Sequence, residues 1–187
     1  MVKWLVLGGC LALANVAHSA QITSIRTPGN LVALNPLSCV SATSIGAEST
    51  AADIAVGIRV CIEESKYTEA VEMLMVASAY AKYDAVRVTD SSARAAATAV
   101  FSEHVMARIS EESKEKTMAA LSTFLENKSR SDELCAFLMN APVPNYIPYY
   151  MIAHGLGVDE GESPMVEDLD TAEAWTEAMK FVRCVAR

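Results

Sequence analysis

The stretch from Tyr67 to Val88 limits the architecture of this chain most strongly. Small and apolar residues recur around most of its helical circumference, at Ala70, Val71, Leu74, Ala77, Tyr80 and Ala81. A helix that is apolar on nearly every side has to be covered by other elements. The sequence therefore predicts one long central helix with the remaining elements packed around it.

Helical patterns also cover most of the chain on both sides of this segment. Thr50 and Asp53 approximate a capping box at the start of a helix that ends near Glu64. No strand pattern competes, so we expect an all-α fold of about six or seven helices in antiparallel hairpins. Further helices are expected over 91–109, with Ala97, Phe101 and Val105 facing inward, over 112–126, with Met118, Leu121 and Leu125 facing inward, from Ser131, over 148–154 and from Asp170.

The first 20 residues resemble a secretory signal peptide. Lys3 supplies a positive charge, an apolar run from Trp4 to Ala14 follows, and Ala17 and Ser19 form a small-x-small cleavage site. The run is shorter than the roughly 20 residues that a membrane-spanning helix needs. We therefore expect export to the periplasm or out of the cell, with no membrane span. A lipid anchor on Cys10 is disfavoured, because the apolar run ahead of it is too short.

Removing the first 20 of the 187 residues leaves 167, which is enough for one domain with a hydrophobic core. Residues 21–47 are rich in Thr, Pro, Gly, Asn and Ser and show no sustained periodicity. We expect them to form an extended N-terminal arm that is held at Cys39 and loose before it. A single helical domain is expected over residues 48–187.

Four cysteines remain after the signal peptide, and an even number in an exported chain indicates two disulfide bonds. Four cysteines allow three pairings, and sequence alone does not choose among them. We favour Cys39–Cys61, which ties the arm to the first helix, together with Cys135–Cys184, which fastens the last helix. No CxxC and no paired histidine spacing is present, so no metal site is expected.

The acidic composition bears on the class of partner. Cleavage removes Lys3, so 14 basic residues stand against 23 acidic ones and the net charge is −9. Such a field repels nucleic acid and anionic membranes, and it favours a basic partner. The acidic stretch 159–170 lacks the residue order of an EF-hand loop, so calcium is not expected there.

Residues 50–82 resemble a tetratricopeptide or Sel1-like helical hairpin. The matching positions are Gly57 and Cys61 in the first helix, Ser65 in the turn, and Tyr67, Ala70, Leu74 and Ala77 in the second helix. The resemblance implies a right-handed stack of antiparallel hairpins that binds protein and performs no chemistry. The chain departs from the family at its closing proline, where Lys82 stands.

Polar and aromatic side chains cluster towards the end of the long helix. Tyr80, Asp84 and Arg87 follow i, i+4, i+7 spacing on one face, and Tyr83 lies beside Arg87 on a parallel one. One interpretation is structural, with Asp84 and Arg87 forming an ion pair between helices while the tyrosines pack. The other is a recognition patch, because Tyr and Arg dominate binding hot spots.

The proline-punctuated loop from Pro142 to His154 is the preferred partner-binding surface. Stiff aromatic side chains supply contact area at low entropic cost. The alternative is that Tyr146, Ile147 and Tyr150 only cover the end of the helical core. The candidate contact residues of this loop are Asn145, Tyr146, Tyr149, Tyr150 and His154.

The sequence carries no enzyme signature. It lacks a nucleophile elbow, a metalloprotease motif, a phosphate-binding glycine loop and a dinucleotide fingerprint, so we expect no catalytic residues and no cofactor. The predicted function is binding of a protein partner, as an immunity or inhibitor protein or as an adaptor of an envelope complex. The alternative is a carrier of a small or lipidic ligand in a groove lined by Phe101, Met106, Met118 and Phe124.

Overall fold

A computed structural model describes residues 27–157 and 159–185. The predicted signal peptide, Cys10 and the start of the arm lie outside the described residues. Within the described ranges the chain forms seven α-helices and no β-strand, which confirms the all-α class. None of these helices is both long enough and apolar enough to cross a membrane. Their bounds are α1 Ala51–Glu63, α2 Tyr67–Arg87, α3 Ala96–Phe101, α4 Glu111–Glu126, α5 Lys128–Asn140, α6 Tyr149–Ile152 and α7 Thr171–Phe181.

Local signals set the bounds of α1. The predicted capping box forms, because the Asp53 N–H donates to Thr50 Oγ1 at 3.1 Å and the Thr50 N–H donates to the Asp53 carboxylate at 3.1 Å. At the other end Ser65 adopts a φ of 60°, and the Lys66 N–H donates to the Cys61 carbonyl at 2.8 Å. This left-handed residue ends the helix and turns the chain directly into α2.

The helices α1 and α2 form a close antiparallel pair at the centre of the molecule. A Cβ at Gly57 would lie 2.6 Å from Met73 Cε, which can move, and 2.7 Å from the Ser38 carbonyl oxygen, which is backbone, so glycine permits the arm to pass this close to α1. The helix α2 also packs against α3, α4 and α7, as its nearly continuous apolar surface requires.

The inner faces predicted for two helices are only partly correct: Val105 is buried, and Ala97, Phe101 and Leu121 are half-buried against the core. The stretch 91–109 is divided into a 3₁₀ segment (Ser91–Ala95), α3 and a π segment (Ser102–Met106), and its buried residues are Ala93, Ala96, Val100 and Val105. In α4 the predicted inner residues Met118 and Leu125 are 58% and 47% exposed, and Phe124 is buried instead. Both sequences carry apolar residues on two sides, so periodicity alone does not decide which side is covered.

The expectation of a loose arm before Cys39 is wrong for its described part. The Asn35 N–H donates to the buried Asp53 carboxylate at 2.7 Å, and the Leu31 N–H donates to the Tyr150 carbonyl at 3.0 Å. The His104 ring Nε2 lies 2.6 Å from the Leu31 carbonyl oxygen. The backbone of the arm is therefore hydrogen-bonded to α1, α6 and the π segment.

Two disulfide bonds close the fold at both ends. They join Cys39 to Cys61 and Cys135 to Cys184, with Cα–Cα distances of 4.7 Å and 5.0 Å. The preferred pairing is confirmed. Stable disulfides indicate that the protein functions in an oxidising, exported environment.

Candidate functional site

The two candidate surfaces proposed from the sequence meet at one buried carboxylate. Asp84 on α2 is fully buried and accepts three hydrogen bonds. Arg87 Nη1 donates at 3.1 Å, the Tyr146 hydroxyl at 2.8 Å and the Tyr150 hydroxyl at 2.9 Å. These contacts link α2 to the loop before α6 and to α6 itself.

Arg87 extends this network on its other side. Its Nη2 donates to the backbone carbonyl of Tyr146, and its guanidinium lies over the rings of Tyr83 and Tyr146 at 5.0 Å and 5.6 Å. The Arg87 carbonyl accepts from the Val166 N–H at 2.9 Å, next to an isolated bridge between Val88 and Met165. Arg87 thus holds the loop through its side chain and a point within the acidic stretch 159–170 through its backbone carbonyl.

The protonation states follow from burial. Burial raises the pKa of Asp84 to about 6, against the opposing effect of the Tyr146 and Tyr150 hydroxyls and of Arg87. Burial also raises the pKa of Tyr146 and Tyr150 well above the usual range, and the Asp84 charge acts in the same direction. Both phenols therefore stay protonated and act as donors at neutral pH.

The expectation of a recognition patch on α2 is wrong, because its residues are buried. Tyr80 and Tyr83 meet the Trp175 ring of α7 edge-on, with ring centroids 5.8 Å and 5.5 Å apart. Asp84 is enclosed, and Arg87 is buried against the loop. The structural interpretation is correct for the packed tyrosines, but the Asp84–Arg87 ion pair lies within α2, and the links to other elements are made by the Tyr146 and Tyr150 hydroxyls.

The residues predicted on the loop divide into anchors and exposed side chains. Tyr146 is half-buried and Tyr150 buried, so these two anchor the loop and do not form its outer surface. Asn145 is exposed, and Tyr149 is 58% exposed. His154 is half-buried, with Nδ1 2.8 Å from the Asn30 side-chain oxygen, so it fastens the arm.

Two exposed apolar residues were missed by the sequence reasoning. Ile147, which the alternative interpretation placed over the core, is 46% exposed beside the anchored Tyr146. Leu156 is 95% exposed at the tip of a turn that is fixed by side chains of the 3₁₀ segment. The Leu156 N–H donates to Ser92 Oγ at 2.9 Å and the Gly157 N–H to Asp90 Oδ2 at 2.9 Å. A single leucine between two glycines was the available signal.

The groove predicted for a carried ligand does not form as expected. Phe101 lines a cleft beside α2, whereas Phe124 lines a different depression with Thr68 and Asn127. Met106 and Met118 are exposed and line neither of these. Those four residues do not enclose a common space.

The Asp84 network holds the loop before α6 and α6 itself in place. In the described part of the chain, every buried side-chain nitrogen or oxygen has a hydrogen-bond partner, and no three His, Cys, Asp or Glu residues are grouped to hold a metal ion. No family model, curated protein or solved structure matches the chain significantly. The tetratricopeptide or Sel1-like resemblance of residues 50–82 therefore stays a prediction.

Proposed function

We propose that this protein is an exported, non-enzymatic binding protein that captures another protein through the loop before α6. The contact surface, which we name the loop surface, consists of Asn145, Ile147 and Tyr149. One observation carries the proposal: two partly exposed apolar side chains, Ile147 on the loop and Tyr149 at the start of α6, project beside a loop backbone that is fixed by a buried ion pair. An ordinary solvent-facing loop needs neither feature.

The anchoring supports tight binding on entropic grounds. Ordering a flexible loop at an interface reduces affinity, since each immobilised side chain loses conformational freedom. Here Tyr146 and Tyr150 already hold the loop on both sides of Ile147 and Tyr149 through Asp84. Tyr149 then offers a rigid amphipathic ring, the type of residue that is enriched in binding hot spots.

The charge of the chain supports a basic partner. The full sequence has a formal net charge of −8, and removal of Lys3 with the signal peptide makes it −9. Opposite net charges accelerate encounter and discriminate against acidic competitors. A disulfide-closed, acidic protein with a rigid apolar contact suits an inhibitor or immunity protein acting in the periplasm or outside the cell on a basic toxin or hydrolase.

The test is capture of a partner by the mature, oxidised protein from envelope and secreted fractions. We expect one stoichiometric, basic protein whose capture is lost in a variant carrying Ile147→Ala and Tyr149→Ala. The matched control carries Met118→Ala and Leu125→Ala, which remove equally exposed apolar side chains from α4. Tyr146 is left unchanged, since its hydroxyl and carbonyl both hold the fold.

The expected loss is large enough to separate the variants. Truncating hot-spot side chains weakens binding by about 2 kcal/mol each, or roughly thirtyfold in the dissociation constant. Equal capture by the loop-surface variant and the α4 variant would place the interface elsewhere. If neither variant captures the partner while both unfold at the wild-type temperature, the partner-binding surface is broader than the loop surface proposed.

A further inference from the structure

A cleft of about 420 Å³ lies beside α2, on a part of the surface that the proposed function does not use. Three elements border it: α2, the helical stretch 91–101 and the end of α7. Its small lining residues Ala81 and Ala85 are buried, while the aromatic rings of Phe101 and Phe181 are partly exposed. Ala97 of α3 also lines it.

The charges of the cleft are opposite to those of the chain as a whole. Lys82 and Arg94 line it, and no acidic residue does. Within the described ranges, neither of these two cations belongs to an ion pair, whereas Lys180 nearby is paired with Glu177 at 2.6 Å. Lys82 instead places its Nζ 6.0 Å from the centre of the Phe181 ring. In a chain of net charge −8, two cations beside an apolar cleft are a specific feature.

The cleft and the loop surface are separate sites. Lys82 and Asp84 are two positions apart on α2, which places them about 200° apart around the helix. The Asp84 side holds the loop before α6, and the Lys82 side lines the cleft. Substitutions in the cleft therefore leave the anchors of the loop in place.

We propose that this cleft binds a fatty-acid-type carboxylate, with the acyl chain along Ala81, Ala85 and Phe101 and the carboxylate at Lys82 and Arg94. Small-molecule sites occupy about 300–1,000 Å³ and combine an apolar lining with a few polar groups. The volume lies at the lower end of that range, which suits one acyl chain. A protein helix is about 10 Å wide with its side chains, so the cleft would hold only about one turn of it.

Isothermal titration calorimetry on the mature, oxidised protein, after extraction of bound lipid, tests the proposal. The probes are decanoate, decan-1-ol and decylammonium, which share one chain and differ in head-group charge. We expect decanoate to bind about tenfold or more tightly than decan-1-ol, the effect of a charge-assisted contact, and decylammonium to bind most weakly. If decanoate does not bind, or if all three bind equally, the proposal is wrong.

Variants locate the site. Combined Lys82→Gln and Arg94→Gln should weaken decanoate about tenfold while leaving decan-1-ol unchanged. Ala97→Phe should abolish binding of both by filling the cleft. The matched control combines Lys116→Gln and Lys128→Gln, which removes two exposed cations from α4 and α5 and should change nothing. A control variant that weakens decanoate as much as the cleft variant would refute the assigned site.

Partner capture distinguishes this proposal from the proposed function. We expect Ala97→Phe to capture the protein partner normally, because the loop surface is untouched. If that variant loses the protein partner and the wild-type protein does not bind decanoate, the cleft is a protein-docking groove and the ligand proposal is wrong.

Discussion

Replacing Asp84 with Asn should change how the stability of this protein depends on pH. Asp84 lies fully buried between Arg87 and two tyrosine hydroxyls, and burial raises its pKa from the ordinary value of 3.8 to about 6. In the folded chain the carboxyl therefore keeps its proton to higher pH than in the unfolded chain. Between these two values the folded state binds more protons, so stability falls as pH rises through this window.

The size of the effect follows from the difference in pKa. About two units correspond to about 3 kcal/mol, at roughly 1.4 kcal/mol per unit. Asparagine does not titrate, so this component is absent in the variant. We expect the stability advantage of the wild-type protein over Asp84→Asn to be greatest near pH 4 and to shrink by about 3 kcal/mol towards pH 7.

The assay is urea unfolding at several pH values with the disulfides intact, compared as a difference between variant and wild type. Asp90→Asn is the control of opposite sign, because hydrogen bonds from Ser92 and from the Gly157 backbone lower the pKa of Asp90. The stability advantage of the wild-type protein over Asp90→Asn should grow as pH rises from acid. If the unfolding free energies of Asp84→Asn and of the wild-type protein change in parallel with pH, burial does not control the pKa of Asp84.

Three further predictions concern the covalent and close-packed parts of the fold. Replacing both cysteines of the Cys135–Cys184 bond with Ser should cost about 4 kcal/mol in urea unfolding, against about 3 kcal/mol for Cys39–Cys61, because the bonds close 49 and 22 residues of chain. Thiol counting on denatured, unreduced mature protein should find no free thiol; two free thiols would contradict one of the bonds, and four would contradict both. Gly57→Ala should cost about 1–3 kcal/mol by overpacking, and an unchanged urea midpoint would mean that the arm backbone at Ser38 can move away from α1.

The elements that the sequence predicted well are those whose signals are local. The bounds of α1 and α2 were correct within about one residue, since a capping box and a dense apolar period lie within the segments themselves. The interruption of the stretch 91–109 was not predictable in this way. There the Ala107 N–H donates to the Ser102 carbonyl five residues back, beside the contact between His104 and Leu31. That contact joins residues 73 positions apart.

The candidate site shows the same division between local and distant information. The sequence identified Asp84, Arg87 and the loop tyrosines as notable, but as two separate surfaces. The structure joins them through hydrogen bonds across 62 and 66 positions, from Tyr146 and Tyr150 to Asp84. No local pattern records such pairing, so burial and exposure were assigned wrongly to neighbouring tyrosines of one loop.

The buried ion pair contributes more to the position of the loop before α6 than to the stability of the fold. Burying a carboxylate and a guanidinium costs solvation free energy that their attraction rarely exceeds, and the raised pKa of Asp84 reflects that cost. Replacing a buried ion pair by apolar residues of similar volume is often neutral or stabilising, but apolar residues would not fix the direction of a loop backbone. Arg87 does so, because it donates to the carbonyl of Tyr146 while pairing with Asp84. Ile147 on this loop and Tyr149 at the start of α6 are thereby held towards solvent in one arrangement, which is the property that a preformed binding surface requires.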